Sequence, residues 1–218
     1  CGDFAVLAAM YNTFSELDLD PTKTVIVSGI GCSSRLPVFI KSYGFHTVHG
    51  RTMPVATGIK LANPELTVIA VGGDGDAFAI GGGHIPHAAR RNVDITYIVM
   101  DNFIYGLTKG QTSPTTGGQN GLGHGFKLTT TSPHGQYEDP LNPLAMVLSY
   151  GASFVARGYS SKPKQLTELY NAAIRHRGFS FIQVLSPCVA FNKTYDEIDA
   201  AIVPLEGQHD TSNFGAAM

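Results

Sequence analysis

Asp74 stands between two glycines in Gly73-Asp74-Gly75, and Asn102 follows 28 residues later in Asp101-Asn102. Magnesium takes six oxygen ligands in a near-octahedral array, usually one or two from protein and the rest from phosphate and water. Asp74 offers a carboxylate to such an ion and Asn102 an amide oxygen. A main-chain carbonyl two residues further on would complete the protein's share, and Ile104 is the natural donor because its side chain has nothing to give a cation. Gly73 and Gly75 let the backbone turn sharply and approach a diphosphate closely, with Asp76 in the same turn. Gly106, Leu107 and Thr108 can then present N–H groups and a hydroxyl to phosphate. Either motif alone is commonly a tight turn. The pair, each at the end of a predicted strand with a helix between, reads as a diphosphate and metal site.

Those strands are legible as short β-branched runs: TVIVSGI within residues 23–30, TVIAVGG, ITYIVMD and FSFIQVL. Helical stretches fall at 4–17, 54–63, 77–91 and 163–176. Alternation of this kind means βαβ units, and so an α/β fold with a doubly wound, mostly parallel sheet. Ligands of such sheets bind outside the carboxyl ends of the strands, where strand order reverses. SGIGCSS, VGGDGD and VMDN all lie at such ends. The helix expected from about Ala77 would aim its N-terminal N–H groups at the phosphates. Residues 103–142 resist assignment, and a loop this long is usually functional or disordered. No linker divides the chain, so 1–218 reads as one domain, with a tail from about 193 that has no core pattern and is expected to lie on a partner or fray.

Charged residues make up only 15% of the 218, which fits large buried interfaces and equally a Gly-rich enzyme with neutral loops. The formal charge of -2 excludes a nucleic-acid partner, since phosphate binding needs a basic surface. No apolar run is long enough for a membrane span. Three cysteines, Cys1, Cys32 and Cys188, are too few and of the wrong parity for a secreted disulfide scaffold and suit a reduced cytoplasm. The start at Cys1-Gly2 reads as a trimmed N-terminus.

The stretches GIGCSS, HGR, PVATGIK, VGGDGDAFAIGGGH, DNFIYGLTKGQTSPT and LSPC resemble the β subunit of 2-oxoacid:ferredoxin oxidoreductases, to about residue 192. DNFIYGLTKGQ is far more specific than Gly-Asp-Gly. One departure is Asp101-Asn102 where many thiamine enzymes have Asn-Asn. The resemblance implies a thiamine-diphosphate-binding fold, with Cys32, Ser33, Ser34, His49 and Gly50 around the thiamine rings. Taken by itself His49 is equally well a surface-loop histidine, and His84 and His87 read as structural or solvent-facing.

Free cysteines are most often small buried hydrophobes, and the paired spacing of a zinc site is absent. The resemblance offers a sharper role, as ligands of a [4Fe–4S] cluster. Cys1, Cys32 and Cys188 match three of the family's four thiolates, and the fourth would lie upstream of Cys1. Thiamine chemistry also needs a carboxylate against the aminopyrimidine. The six glutamates, Glu16, Glu65, Glu138, Glu168, Glu197 and Glu206, all lie outside the cofactor motifs. The chain is also short for the two α/β domains that normally enclose the cofactor. An α subunit carrying the missing glutamate is therefore expected, in an α–β heteromer paired as a dimer.

The expected activity is oxidative decarboxylation of 2-oxoglutarate to succinyl-CoA and CO2, or its reverse, with coenzyme A as co-substrate and ferredoxin as electron acceptor. Arg35 and Lys109 are candidate partners for the distal carboxylate, or for diphosphate, coenzyme A or the partner subunit. The alternatives are a pyruvate enzyme, a non-redox thiamine-dependent decarboxylase or carboligase, and a nucleotide-binding regulatory subunit. Iron content separates the redox enzymes from the rest.

Overall fold

A computed structural model describes residues 1–117, 129–136 and 138–205, with 210, 213 and 215. The expected strands form at Thr24–Ser28 (β1), Thr67–Gly73 (β3), Thr96–Asp101 (β4) and Ser180–Leu185 (β8). Two more, Tyr43–His46 (β2) and Phe154–Tyr159 (β7), complete a six-stranded sheet in the order β2-β1-β3-β4-β8-β7. Every pairing in it is parallel. All the carboxyl ends therefore share one edge, and strand order reverses between β1 and β3.

Strands buried on both faces must be apolar on both. Val25, Val27, Val68, Ala70, Tyr97, Val99 and Phe181 face one layer, formed by Thr52–Ala62 (α3), Ile85–Arg90 (α4) and Pro143–Ser149 (α5). Ile26, Ile69, Val71, Ile98, Met100, Ile182 and Val184 face the other, formed by Asp3–Glu16 (α1), Leu36–Phe39 (α2) and Pro163–Arg175 (α6). The sheet is thus doubly wound. In α1 the buried Val6, Ala9, Met10 and Thr13 recur at i, i+3, i+4 and i+7, the stripe a helix needs to dock on a sheet. In α6 Pro163 fits the first turn, where no N–H is required. Each fully buried aliphatic or aromatic side chain contributes about 1.5–3 kcal/mol, so both layers hold the strand ends rigidly.

Three expectations need correction. The helix over 77–91 is broken: Gly75–Ile80 forms a π-helical turn, and α4 restarts only at Ile85 after Gly81-Gly82-Gly83. Three successive glycines raise the entropy cost of helix, and Pro86 then fits the first turn of a new one. The stretch 103–142 contains a short hairpin, Ile104–Tyr105 (β5) with Gln111–Thr112 (β6), although 118–128 and 137 lie outside the described residues. The segment after Cys188 does carry core. Tyr195–Ala201 is helical (α7), and its Ile198 is buried with Phe103, Tyr159 and Leu185. One apolar contact per turn was too sparse to read as a period. Most of the tail beyond 205 lies outside the described residues.

Candidate active site

The loops after β1, β2, β3 and β4 meet at the carboxyl edge, around a cavity of about 260 Å³. It is lined by Cys32, Ser33, His49, Gly73, Asp74, Gly75, Asp76, Asn102, Ile104, Gly106, Leu107 and Thr108, all expected from sequence, and by Ile30, Gly31 and Tyr105, which were not. Ser34 and Gly50 support the loops without lining the cavity, and Arg35 and Lys109 are exposed outside it. His87 is exposed and His84 half-buried, outside the site.

Strands β3 and β4 are neighbours, with Gly73 opposite Met100, so Asp74 and Asp101 emerge side by side. Both are buried, at 1% and 0% exposure. Asp74 Oδ2 accepts hydrogen bonds from the hydroxyls of Ser113 and of Thr115, the latter at 3.1 Å. Asp101 Oδ1 accepts from Thr115 Oγ1 at 2.8 Å and from the Phe103 N–H at 3.0 Å, and its Oδ2 from Gln183 Nε2 at 2.7 Å. Burial first, and Asp101 beside it second, hold the Asp74 carboxyl well above its usual range; burial also raises Asp101. Neutral hydroxyl donors do not offset two adjacent buried charges, whereas a divalent cation would.

Asn102 follows directly, and its Oδ1 accepts the Ile104 N–H at 3.1 Å, which leaves one lone pair for a cation. Phe103 adopts φ +63, an uncommon conformation for a bulky residue. Thr116 Oγ1 donates to the Phe103 carbonyl and Asn192 Nδ2 to the Asn102 carbonyl at 2.8 Å, so the turn is tied from both sides. Ser113, Thr115, Thr116 and Asn192 escaped the sequence reading. The run TSPT that ends the quoted resemblance was the available signal for Ser113 and Thr115.

Asp76 closes the opposite wall. Its Oδ1 accepts from the Ile30 and Gly50 N–H groups at 2.8 Å each and lies 2.9 Å from His49 Nδ1. A carboxylate has only lone pairs to give, so Nδ1 is the donor and His49 Nε2 is free to act as acceptor. Gly50 sits at φ +72, where an added Cβ would lie 2.6 Å from the Gly81 nitrogen. At Gly75 a Cβ would lie 2.3 Å from Tyr105 Cε1, so the Tyr105 ring can lie against the turn only because there is no side chain. Replacing Asp76 by Ala strands the buried Gly50 N–H and Thr52 hydroxyl, the partly buried Ile30 N–H and a histidine. Each unsatisfied donor costs about 1–3 kcal/mol, so the variant should lose on the order of 3 kcal/mol in urea denaturation. A loss below ~1 kcal/mol would mean that the loops are held elsewhere.

The cysteines converge although they are far apart in sequence. Cys32 lines the cavity, and an added Cβ at Gly106 would lie 3.6 Å from Cys188 Sγ. The Gly2 N–H donates to the Pro187 carbonyl at 3.3 Å, which brings Cys1 alongside. Burial, then Asp3 and Cys188, push the Cys32 thiol up. Among the described residues no three His, Cys, Asp or Glu side chains are placed to hold one metal ion. A [4Fe–4S] cluster takes its thiolates one per iron, around a body larger than a single ion.

Residues 29–184 match the family model for thiamine pyrophosphate enzymes, C-terminal TPP binding domain, the class of domain that this sheet and edge site define. The chain is 51% identical over 195 residues to subunit beta of 2-oxoacid:ferredoxin oxidoreductase 1 of Aeropyrum pernix, covering 89% of this chain and 59% of that one. It is 45% identical over 192 residues to 2-oxoglutarate oxidoreductase subunit KorB of Mycobacterium tuberculosis, covering 88% and 50%. The solved 2-oxoglutarate:ferredoxin oxidoreductase from Magnetococcus marinus, with 2-oxoglutarate, coenzyme A and succinyl-CoA bound, superposes with a TM-score of 0.94 at 48% identity, over 99% of this chain and 72% of that one. This chain belongs to the family of 2-oxoacid:ferredoxin oxidoreductase β subunits, as the sequence resemblance implies. It spans between about half and three fifths of the length of the two curated relatives.

Proposed function

We propose that the chain forms the thiamine-diphosphate half-site of a 2-oxoglutarate:ferredoxin oxidoreductase, which converts 2-oxoglutarate and coenzyme A to succinyl-CoA and CO2 or runs in reverse. The observation that carries this reading is the buried Asp74–Asp101 pair, of which Asp74 lines the cavity. Asp74, Asn102 and the Ile104 carbonyl would hold magnesium, which would offset that charge, and Gly106, Leu107 and Thr108 would contact the diphosphate. When bound, thiamine diphosphate supplies the carbon nucleophile and electron sink for 2-oxoacid cleavage. His49, bonded to Asp76 through Nδ1, lines the cavity and would accept a proton at Nε2 when its ring is neutral. Cys1, Cys32 and Cys188 would hold a [4Fe–4S] cluster, which would supply one-electron transfer. The names and bound molecules of the relatives support 2-oxoglutarate over pyruvate. No helix of the described residues is long and apolar enough to cross a membrane, and free thiols suit a cytoplasmic enzyme.

A complete small-molecule site has roughly 300–1,000 Å³, and this cavity falls short of that. Among the described residues no glutamate lines it. Both facts fit an α subunit that supplies the other wall and the pyrimidine-facing carboxylate. Calorimetric titration of thiamine diphosphate with and without Mg2+ into the α–β complex tests the reading, and metal-independent binding would count against it. The chain alone should show under about 1% of the complex's 2-oxoacid turnover, since lost orientation costs several orders of magnitude. Substantial turnover by the chain alone would remove the need for a partner.

Arg35 and Lys109 remain the proposed partners of the distal carboxylate. Being exposed, they would meet substrate only where the α subunit closes over them. A lost charge-assisted hydrogen bond costs about 1.5–3 kcal/mol, so Arg35→Ala or Lys109→Ala should raise KM for 2-oxoglutarate roughly tenfold or more and that for pyruvate far less. Viologen-coupled assays of the complex decide it. Equal losses on both substrates would assign these cations to cofactor or partner.

A further inference from the structure

Asp101 uses its two oxygens differently. Oδ1 has two donors, Thr115 and the Phe103 N–H, while the Oδ2 contact is the Gln183 amide at 2.7 Å. Gln183 stands at 2% exposure in the middle of β8, whose neighbours Ile182 and Val184 are core. A buried amide in an apolar strand is costly unless both of its ends are bonded. Its oxygen accepts from Arg157 Nε at 2.9 Å. Arg157 lies directly across on the edge strand β7 and is partly exposed. A line of side chains therefore crosses three adjacent strands, from a guanidinium through an amide dipole to a carboxylate.

Thr115 extends that line. Its hydroxyl lies 2.8 Å from Asp101 Oδ1 and 3.1 Å from Asp74 Oδ2, but it has one proton to give. That proton is shared between the two carboxylates, with the shorter contact to Asp101, and the bonds from Gln183 and the Phe103 N–H lessen the demand of Asp101 for it. Without Gln183, Asp101 draws that proton more strongly, and Asp74 is left to the Ser113 hydroxyl and a long contact from the Asn102 N–H at 3.5 Å.

We propose that Arg157 and Gln183 are positioning residues of the metal site, which fix the direction in which Asp74 faces the cation. Neither lines the cavity and neither lies in a motif singled out from the sequence. The role rests on the reading of the cavity as a magnesium and thiamine-diphosphate site. Partners of this kind typically change metal affinity 10–100-fold. Magnesium demands near-ideal octahedral geometry while calcium tolerates distortion, so a misdirected Asp74 harms magnesium more.

The test is calorimetric titration of thiamine diphosphate into the α–β complex at a series of Mg2+ or Ca2+ concentrations. Gln183→Leu should weaken Mg2+-supported binding about 10–100-fold, and Arg157→Gln by a smaller factor in the same direction. In both, half-saturation should rise more for Mg2+ than for Ca2+, a difference that simple destabilisation would not produce. Arg157→Lys, which keeps the cation, should recover most of the loss. If Gln183→Leu fails to fold, Arg157→Gln at the sheet edge makes the same comparison. Binding within twofold of the unsubstituted complex, or equal losses with both metals, overturns the positioning role. An unsubstituted complex that binds no thiamine diphosphate with Mg2+ overturns the cavity reading, and this role with it.

Discussion

Asp74→Asn should weaken Mg2+-dependent thiamine diphosphate binding by at least ~100-fold, because removing one charge from a buried ionic contact costs about 3–5 kcal/mol. The same substitution should leave the ligand-free protein as stable or more stable. Asn keeps the shape of Asp and can still accept from Ser113 and Thr115, while one of two adjacent buried carboxylates disappears. Each kcal/mol recovered raises Tm by about 2–4 °C in a chain of this size. The pH dependence separates this from ordinary core damage. The folded-state pKa of Asp74 lies above its usual 3.8, so the folded protein binds a proton that the unfolded chain has released. Stability without metal is then fullest below 3.8 and falls as pH rises through the raised value. Bound Mg2+ displaces that proton, so stabilisation by metal should grow across the same window. In Asp74→Asn both slopes should shrink. Differential scanning fluorimetry across pH, with and without Mg2+, measures them. An Asn variant that binds cofactor normally would remove Asp74 from the metal site.

The two halves of this site were unequally legible. Asp74, Asn102 and the glycines around them lie in short contiguous motifs at strand ends, where residue type and backbone demand coincide. Strands β1, β3, β4 and β8 were legible for a related reason, since strands buried on both faces must be continuous apolar runs. Strand β2 escaped because all four of its residues are exposed, and β7 because Arg157 and Gly158 interrupt it. The carboxylate pair was hidden for a different reason. Asp101 was visible beside Asn102, but its packing against Asp74 depends on the register of β3 with β4. Gln183 and Arg157 are likewise ordinary residues one at a time, and only strand order makes a line of them. Asp76 was placed in the cofactor turn by its neighbours. The structure adds a latch that joins the loops after β1 and β2 to the turn after β3.

Cys188→Ser should lower iron from about four per chain, the content of one [4Fe–4S] centre, to below one. It should also bleach the visible absorption of the complex and stop ferredoxin reduction. Serine has the size of cysteine but offers iron a hard, high-pKa oxygen in place of a soft thiolate. The backbone around it should survive, because Asn192 bonds to the Cys188 carbonyl through its N–H at 3.0 Å and to the Asn102 carbonyl through its side chain. Neither bond involves the thiol, so thiamine diphosphate affinity should stay within about twofold, far below the factor of ten that 1.4 kcal/mol represents. The location of Cys188 makes that separation informative. Its sulfur adjoins Gly106, and both Gly106 and Cys32 line the cavity, so a cluster on these thiolates would lie beside the proposed cofactor site. Burial raises the Cys32 thiol, so a cluster iron would have to displace its proton. Iron analysis, the absorption spectrum and calorimetry on one preparation decide the matter. A Cys188→Ser complex that keeps its iron and colour would remove this residue from the cluster. An unsubstituted complex that turns over 2-oxoglutarate without iron would place the chain among the non-redox thiamine enzymes.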